Sequence, residues 1–243
     1  MKKQINLKIH FSIDDVWRSL DELFKQHPSD IFSLPFWKML KKLHLKYNFC
    51  FTLYVVAKNG SKSLEYFNSD YAVQFEAQND WLQFGLHCTE LSHDINKAFI
   101  NYNYWYKQLN RIVGKKCMSN IVRLHGFSCN SQTVQALKYC NIYTLLCADD
   151  HRCSYDLTYK ENRILEKYGF IQKNSIQYIK TLFRLEKCIL YDKCLSDNIY
   201  KGIPLISVFT HEYYFYGKRK LFGIMLLYRF AIHSKRARAK FII

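Results

Sequence analysis

Five short apolar runs in this sequence end on ionisable side chains of the types that hold metals and move protons. The first ends in Ser12-Ile13-Asp14-Asp15, another in Gly85-Leu86-His87 with His93 close behind, and another in Arg123-Leu124-His125-Gly126. Asp149-Asp150-His151-Arg152 and Thr210-His211-Glu212 close the other two. One Asp after a strand is most often a helix N-cap. Five such ends point instead to a shared site, because α/β barrels gather their catalytic groups at the C-terminal ends of their strands. A divalent cation takes imidazole and carboxylate ligands and leaves a position open for water. Asp15, His87 and His93 offer one carboxylate and two imidazoles. His87 and His93 stand about 240° apart on a helical wheel, so a strand end and the loop or first turn beyond it suit them better than one helix face. Adjacent carboxylates repel, so a cation beside Asp14 and Asp15 lets one bind metal while the other takes a proton from water.

The elements that would carry these ends alternate. Ile5 to Ile13 reads as a strand with Ile5, Leu7, Ile9, Phe11 and Ile13 on one face, and Phe49 to Ala57 and Leu82 to Leu86 as two more. Pro35 opens a helical pattern through Phe36, Met39, Leu40 and Leu43. A long helix is expected from Asp94 to Ile112, a strand over Asn120 to Leu124, a helix over Ser131 to Tyr139 and a strand over Tyr143 to Ala148. Ile203 to Phe209 is a late strand before a final amphipathic helix starting at Lys218, while Phe170–Ile171 and Tyr178–Leu185 suit a hairpin or further barrel strands. Strand–helix alternation predicts a mostly parallel sheet with helices outside it, and residues 1–243 form a single domain with a basic C-terminal helix and tail.

Composition bounds the function. Apolar residues make up 49% of 243 residues, ample for a core, so disorder is excluded. The net charge of +16 favours polyanions, but no zinc-finger spacing, RNA-binding motif or leucine heptad accompanies it, so no specific nucleic acid is expected. The basic cluster Lys235, Arg236, Arg238 and Lys240 follows an amphipathic stretch that either caps the core or lies on a membrane surface. Asn6, Lys8 and His10 interrupt any signal-peptide core, and the Leu221 to Ile232 stretch is too short to span a bilayer. Nine cysteines without a Cys-x-x-Cys pair suit a reducing cytoplasmic setting with no native disulfide, the inner membrane face being the peripheral alternative. Cys88 beside His87 should point to the opposite face of its strand.

In motif order the sequence resembles the polysaccharide deacetylase superfamily (NodB-like, carbohydrate esterase family four). Ser12-Ile13-Asp14-Asp15 is similar to its Thr/Ser-Phe-Asp-Asp motif, and His87 to His93 looks like its paired histidines with two extra residues between them. Arg123-Leu124-His125-Gly126-Phe127 resembles its Arg-Pro-Tyr motif, with His125 in place of Pro. Ala148-Asp149-Asp150 resembles the Asp-rich motif without its Trp, and Phe209-Thr210-His211 the final hydrophobic-x-His.

The resemblance implies a distorted (β/α) barrel of about seven strands rather than the eight of a complete barrel. It further implies a metal, most plausibly Zn²⁺, on Asp15, His87 and His93. Asp14 would be the general base, steadied by Arg123, and His211 the general acid, oriented by Asp149 or Asp150. An amide near Phe127 would serve the oxyanion, and His125 would contact substrate or add a ligand. Tyr213, Tyr214 and Trp17 are candidate sugar platforms, with ordinary packing as the alternative reading. The implied activity is hydrolytic removal of an N-acetyl group from a sugar or glycan. An inactive glycan-binding relative and a basic peripheral polyanion binder are the competing readings.

Overall fold

The computed structural model describes residues 7–87, 94–187 and 205–243. Strand β1 (Lys8–Val16) is buried along both faces, as a central parallel strand covered by helices must be. Its odd-numbered face packs outward, where Phe11 meets Phe49, Phe51 and Phe230 at ring separations of 4.9, 5.9 and 5.6 Å. Its even-numbered face carries His10, Ser12 and Asp14 into the interior, and all three are buried. Burial keeps the His10 imidazole neutral, lowering its pKa to about 3, and its Nε2 lies 3.1 Å from Thr52 Oγ1 on the next strand.

After β1 come α1 (Arg18–Gln26), α2 (Pro35–Tyr47) and β2 (Phe51–Val56), then a small hairpin of β3 (Lys58–Asn59) and β4 (Lys62–Ser63). Pro35 opens α2, where its missing N–H costs no helical bond, and Asn48 closes it in the left-handed region. Next are α3 (Ala72–Glu76), β5 (Leu82–His87) and α4 (Ile95–Val113). Asp94 caps α4 by accepting from the Asn96 and Lys97 amides. Then follow β6 (Ile121–Val122), α5 (Ser131–Tyr139), β7 (Thr144–Leu146), α6 (Tyr159–Tyr168), β8 (Phe170–Lys173), β9 (Ile176–Ile179) and β10 (Thr181–Arg184). The last described elements are β11 (Leu205–His211), α7 (Lys220–Arg236) and β12 (Lys240–Ile242).

One sheet runs β10-β11-β1-β2-β5, all neighbours parallel, and a second runs β6-β7-β9-β8 with only β8 antiparallel. The two meet along both edges. On one side Phe84 bridges Met118, the Ser119 amide donates to the Phe84 carbonyl at 2.8 Å, and Tyr54 Oη donates to the Ile121 carbonyl at 2.9 Å. Gly85 permits this approach, because a Cβ there would run into the Tyr54 ring. On the other side one stretch of chain serves both sheets, pairing with β7 as β9 and with β11 as β10. Thr181 Oγ1 donates to the Cys147 carbonyl across that seam. The described strands thus form two mainly parallel sheets that meet at both edges, an arrangement compatible with a distorted α/β barrel of seven strand positions: β11, β1, β2, β5, β6, β7 and the β9–β10 segment.

Three expectations need correction, and one reading left open is resolved. Strand β1 runs on to Val16, so Asp14 and Asp15 lie within it, at a shift of register between Ile13 and Val16. Helices α1 and α6 were not expected; their apolar positions are sparse among charged ones, although a Thr158–Glu161 capping box marks the start of α6. The ambiguous stretch after Phe170 supplies both a hairpin (β8–β9) and a barrel strand (β10). The C-terminal basic residues are not a free tail: α7 runs to Arg236 and the chain then pairs with β1 as β12, burying Phe241.

Candidate active site

The bulge in β1 sets the site. Asp15 adopts φ 57°, a left-handed conformation that Asp tolerates better than most residues. A bulge of this kind re-aims a side chain, and here two successive carboxylates serve two neighbouring groups. Glu212 pins the exit from the strand: its buried carboxylate accepts from the amides of Trp17, Arg18 and Ser19 at 3.0, 2.8 and 2.8 Å. Those donors begin α1, so the carboxylate caps the helix that follows the bulge.

Asp15 faces two imidazoles. Its Oδ1 lies 3.4 Å from His87 Nε2 and 3.6 Å from His125 Nδ1. The three donor atoms lie within 4.8 Å of one another, and the histidine rings meet edge to face at 5.3 Å. His87 comes from the end of β5 and His125 from the short turn after β6, so three strand ends converge. His87 Nδ1 is 2.6 Å from the Arg123 carbonyl, which can only accept, so Nδ1 carries the hydrogen. Burial lowers the pKa of this imidazole to about 4, leaving Nε2 as a bare lone pair aimed at a carboxylate oxygen. Two lone pairs facing each other this way ask for a cation between them. The donor set and the fixed tautomer therefore fit a divalent metal with imidazole and carboxylate ligands.

Asp14 turns inward, where it is 2% exposed. Ser12 Oγ donates to its Oδ1 at 3.1 Å, and Arg123 Nη1 stands 3.6 Å from its Oδ2. Burial raises the Asp14 pKa, and the charges of Arg123 and His211 with the Ser12 hydroxyl oppose that rise. A carboxylate with raised proton affinity is the stronger base. Arg123 is itself fully buried, donating from Nη2 to Ser207 Oγ at 3.0 Å and lying 4.2 Å from the Phe209 ring centre.

His211 ends β11 directly opposite Asp14 in the β1–β11 pairing. Its Nδ1 lies 2.6 Å from Glu186 Oε1, a carboxylate with a side chain only 3% exposed. Tyr213 stacks on the imidazole at 5.0 Å and 21°.

The structure brings together Asp14, Asp15, His87, Arg123, His125 and His211 from the sequence reading. His93 and Cys88 lie outside the described residues. Asp149 and Asp150 do not reach His211: Asp149 is paired to Arg184 at 2.9 Å, and Asp150 is clasped by Arg152. The carboxylate in contact with His211 is Glu186, just past β10, a strand-end position that the ambiguous reading of that stretch hid. The Phe127 amide donates to the Leu124 carbonyl at 3.1 Å, so that N–H is not free to serve an oxyanion, and the ring flanks Arg123 instead. Trp17 is buried against Phe67 as core, leaving Tyr213 as an exposed ring at the site and Tyr214 half-buried beside it.

No family model matches the sequence, and no curated protein matches it. Similar solved structures exist. A protein assigned as a polysaccharide deacetylase from Mycobacterium smegmatis superposes with a TM-score of 0.53 at 12% identity, covering 95% of this chain and 86% of that one. The peptidoglycan N-acetylglucosamine deacetylase Bc1960 gives a TM-score of 0.41 at 10% identity, covering 99% and 91%. A 4-alpha-glucanotransferase from Thermococcus litoralis gives 0.53 at 12% identity, covering 98% of this chain and 39% of that longer one. The likeness is one of fold: the mixed α/β architecture with a parallel sheet is shared with a polysaccharide deacetylase-like protein and with a glucanotransferase alike. A fold that also carries a glucanotransferase does not by itself choose a reaction, so function has to be argued from the site.

Proposed function

We propose that this chain, built on the polysaccharide deacetylase fold, is a metal-dependent hydrolase that removes an N-acetyl group from a sugar or glycan. The observation that carries the reading is the meeting of Asp15, His87 and His125 from three strand ends beside the buried Asp14–Arg123 pair. Asp15, His87 and His125 would hold the ion, and two imidazoles with one carboxylate form a donor set that suits Zn²⁺. Bound there, a divalent ion supplies Lewis acidity to water and to the acyl carbonyl.

The remaining work falls to the chain's own groups. Asp14 accepts the proton of the attacking water, and its raised proton affinity suits it to that task. Arg123 keeps Asp14 oriented and offsets its charge in the buried interior. As the C–N bond breaks, His211 donates a proton to the departing nitrogen, so acetate and a free amino sugar leave. Glu186 holds His211 at Nδ1, which keeps Nε2 as the nitrogen available to substrate. Tyr213 at the rim offers an exposed ring face for a sugar. Nine cysteines without paired spacing suit a reducing, cytoplasmic setting.

Acetate release by the Zn²⁺-loaded protein from N-acetylated saccharides and sugar nucleotides tests the reaction. Release that a chelator stops and Zn²⁺ restores supports it; none from the metal-loaded protein across the panel contradicts it. Glu186→Gln is expected to lower turnover about 10–100-fold, as the loss of a group supporting a site histidine does, with KM little changed and Glu186→Asp recovering part of the rate. Equal turnover in Glu186→Gln would show that His211 needs no such partner.

A further inference from the structure

We infer that α7, with the turn before it, is a docking surface for an anionic lipid bilayer. A helix packed on a globular core has one apolar stripe and a polar outer face. Helix α7 is apolar on both sides. It buries Leu226, Leu227, Phe230 and Ala231 in the interior, while Leu221, Phe222 and Met225 remain 82%, 44% and 46% exposed. From Tyr213 to Ile243 the sequence holds eight Lys and Arg and no Asp or Glu. Helix α2 runs alongside, with Phe36 stacked on Tyr216 at 6.2 Å near one end and Tyr47 meeting Tyr228 at 6.3 Å near the other. It adds Lys38, Lys42 and Lys46, and the helix carries no acidic residue.

Charge and shape together select the occupant. A second copy docking by two-fold symmetry would press this basic face against itself, so like charges disfavour a homodimer there. A nucleic acid or an acidic glycan would satisfy the lysines and arginines but leave Leu221, Phe222 and Met225 without a role. An anionic bilayer uses both: headgroups attract the cations, and protruding apolar side chains enter the acyl boundary. No helix among the described residues is long and apolar enough to cross a membrane, so the contact is with the surface.

The surface adjoins the strand-end site. His211 stacks on Tyr213, Tyr213 contacts Tyr214 at 4.7 Å, and Tyr214 reaches Phe222 at 6.4 Å. Docking through α7 therefore sets the mouth of the site beside the headgroups. The docking itself is independent of the catalytic reading and is tested without activity.

The full chain is sedimented with vesicles of equal parts phosphatidylglycerol and phosphatidylcholine, and with phosphatidylcholine alone. Wild type is expected to sediment with the anionic vesicles only, and high salt should weaken that binding. Leu221→Ser/Phe222→Ser/Met225→Ser changes exposed residues outside the site and should lower the partition coefficient about tenfold or more, with thermal melting to confirm folding. Lys218→Glu/Lys220→Glu should lower it comparably. Failure of wild type to sediment with anionic vesicles overturns the inference. So does a triple Ser variant that binds like wild type while the charge variant does not, since that pattern describes a general polyanion surface, which binding to duplex DNA would then report.

Discussion

Asp14→Asn is expected to lower acetate release by about 10³-fold while Zn²⁺ affinity stays within a few-fold of wild type. The magnitude is that of losing one acid–base group, about 10²–10⁴. The separation between the two readouts follows from the bulge in β1. Asp15 turns towards His87 and His125, whereas Asp14 turns inward to Ser12 and Arg123, so the two carboxylates have different partners although adjacent in sequence. Asn keeps the shape and one acceptor oxygen but cannot take a proton at neutral pH. Steady-state acetate assays beside calorimetric metal titration check it. An Asp14→Asn protein as active as wild type would remove Asp14 from the role of base, whereas loss of metal would place it among the ligands.

Arg123→Met carries the largest expected effect on stability, about 3–5 kcal/mol, because it strips a buried carboxylate of its paired guanidinium. For a chain of this size that is a fall in Tm of about 6–20 °C. Arg123 is fully buried and Asp14 nearly so, which makes this pair unlike the exposed ion pairs of the surface. Adding Asp14→Asn to Arg123→Met removes the stranded charge and should return most of the loss. Thermal melts of the two single variants and the double variant give the coupling directly. A double variant no more stable than Arg123→Met would assign the effect to lost packing against Phe209 rather than to the ion pair.

Much of the fold was legible because its strands are apolar runs bounded by polar ends, and because parallel strands send those ends to one side. The starts of α2, α4 and α5 were equally legible from Pro35, Asp94 and Ser131. What escaped detection depended on spatial rather than sequence neighbours. His125 was legible as a substrate contact or an added ligand, but its choice between the two was not, because it meets Asp15 and His87 only where β6 meets β5 at a seam between two sheets. Glu186 was hidden because β10 continues from β9 across a change of sheet, so no loop signal marks the strand end. Asp149 and Asp150 misled for the opposite reason: they lie in the loop just after β7, but nearby arginines hold both. The bulge at Asp15 is likewise a tertiary feature, since an Asp-Asp pair at a strand end reads equally well as a turn.

The central claim is that Asp15, His87 and His125 form one cation site, and a Zn²⁺ titration of chelator-stripped protein tests it most directly. Wild type is expected to bind one ion per chain, and His87→Ala/His125→Ala to lose that binding while keeping its fold by circular dichroism. A double variant that binds Zn²⁺ with wild-type stoichiometry and affinity would contradict the claim.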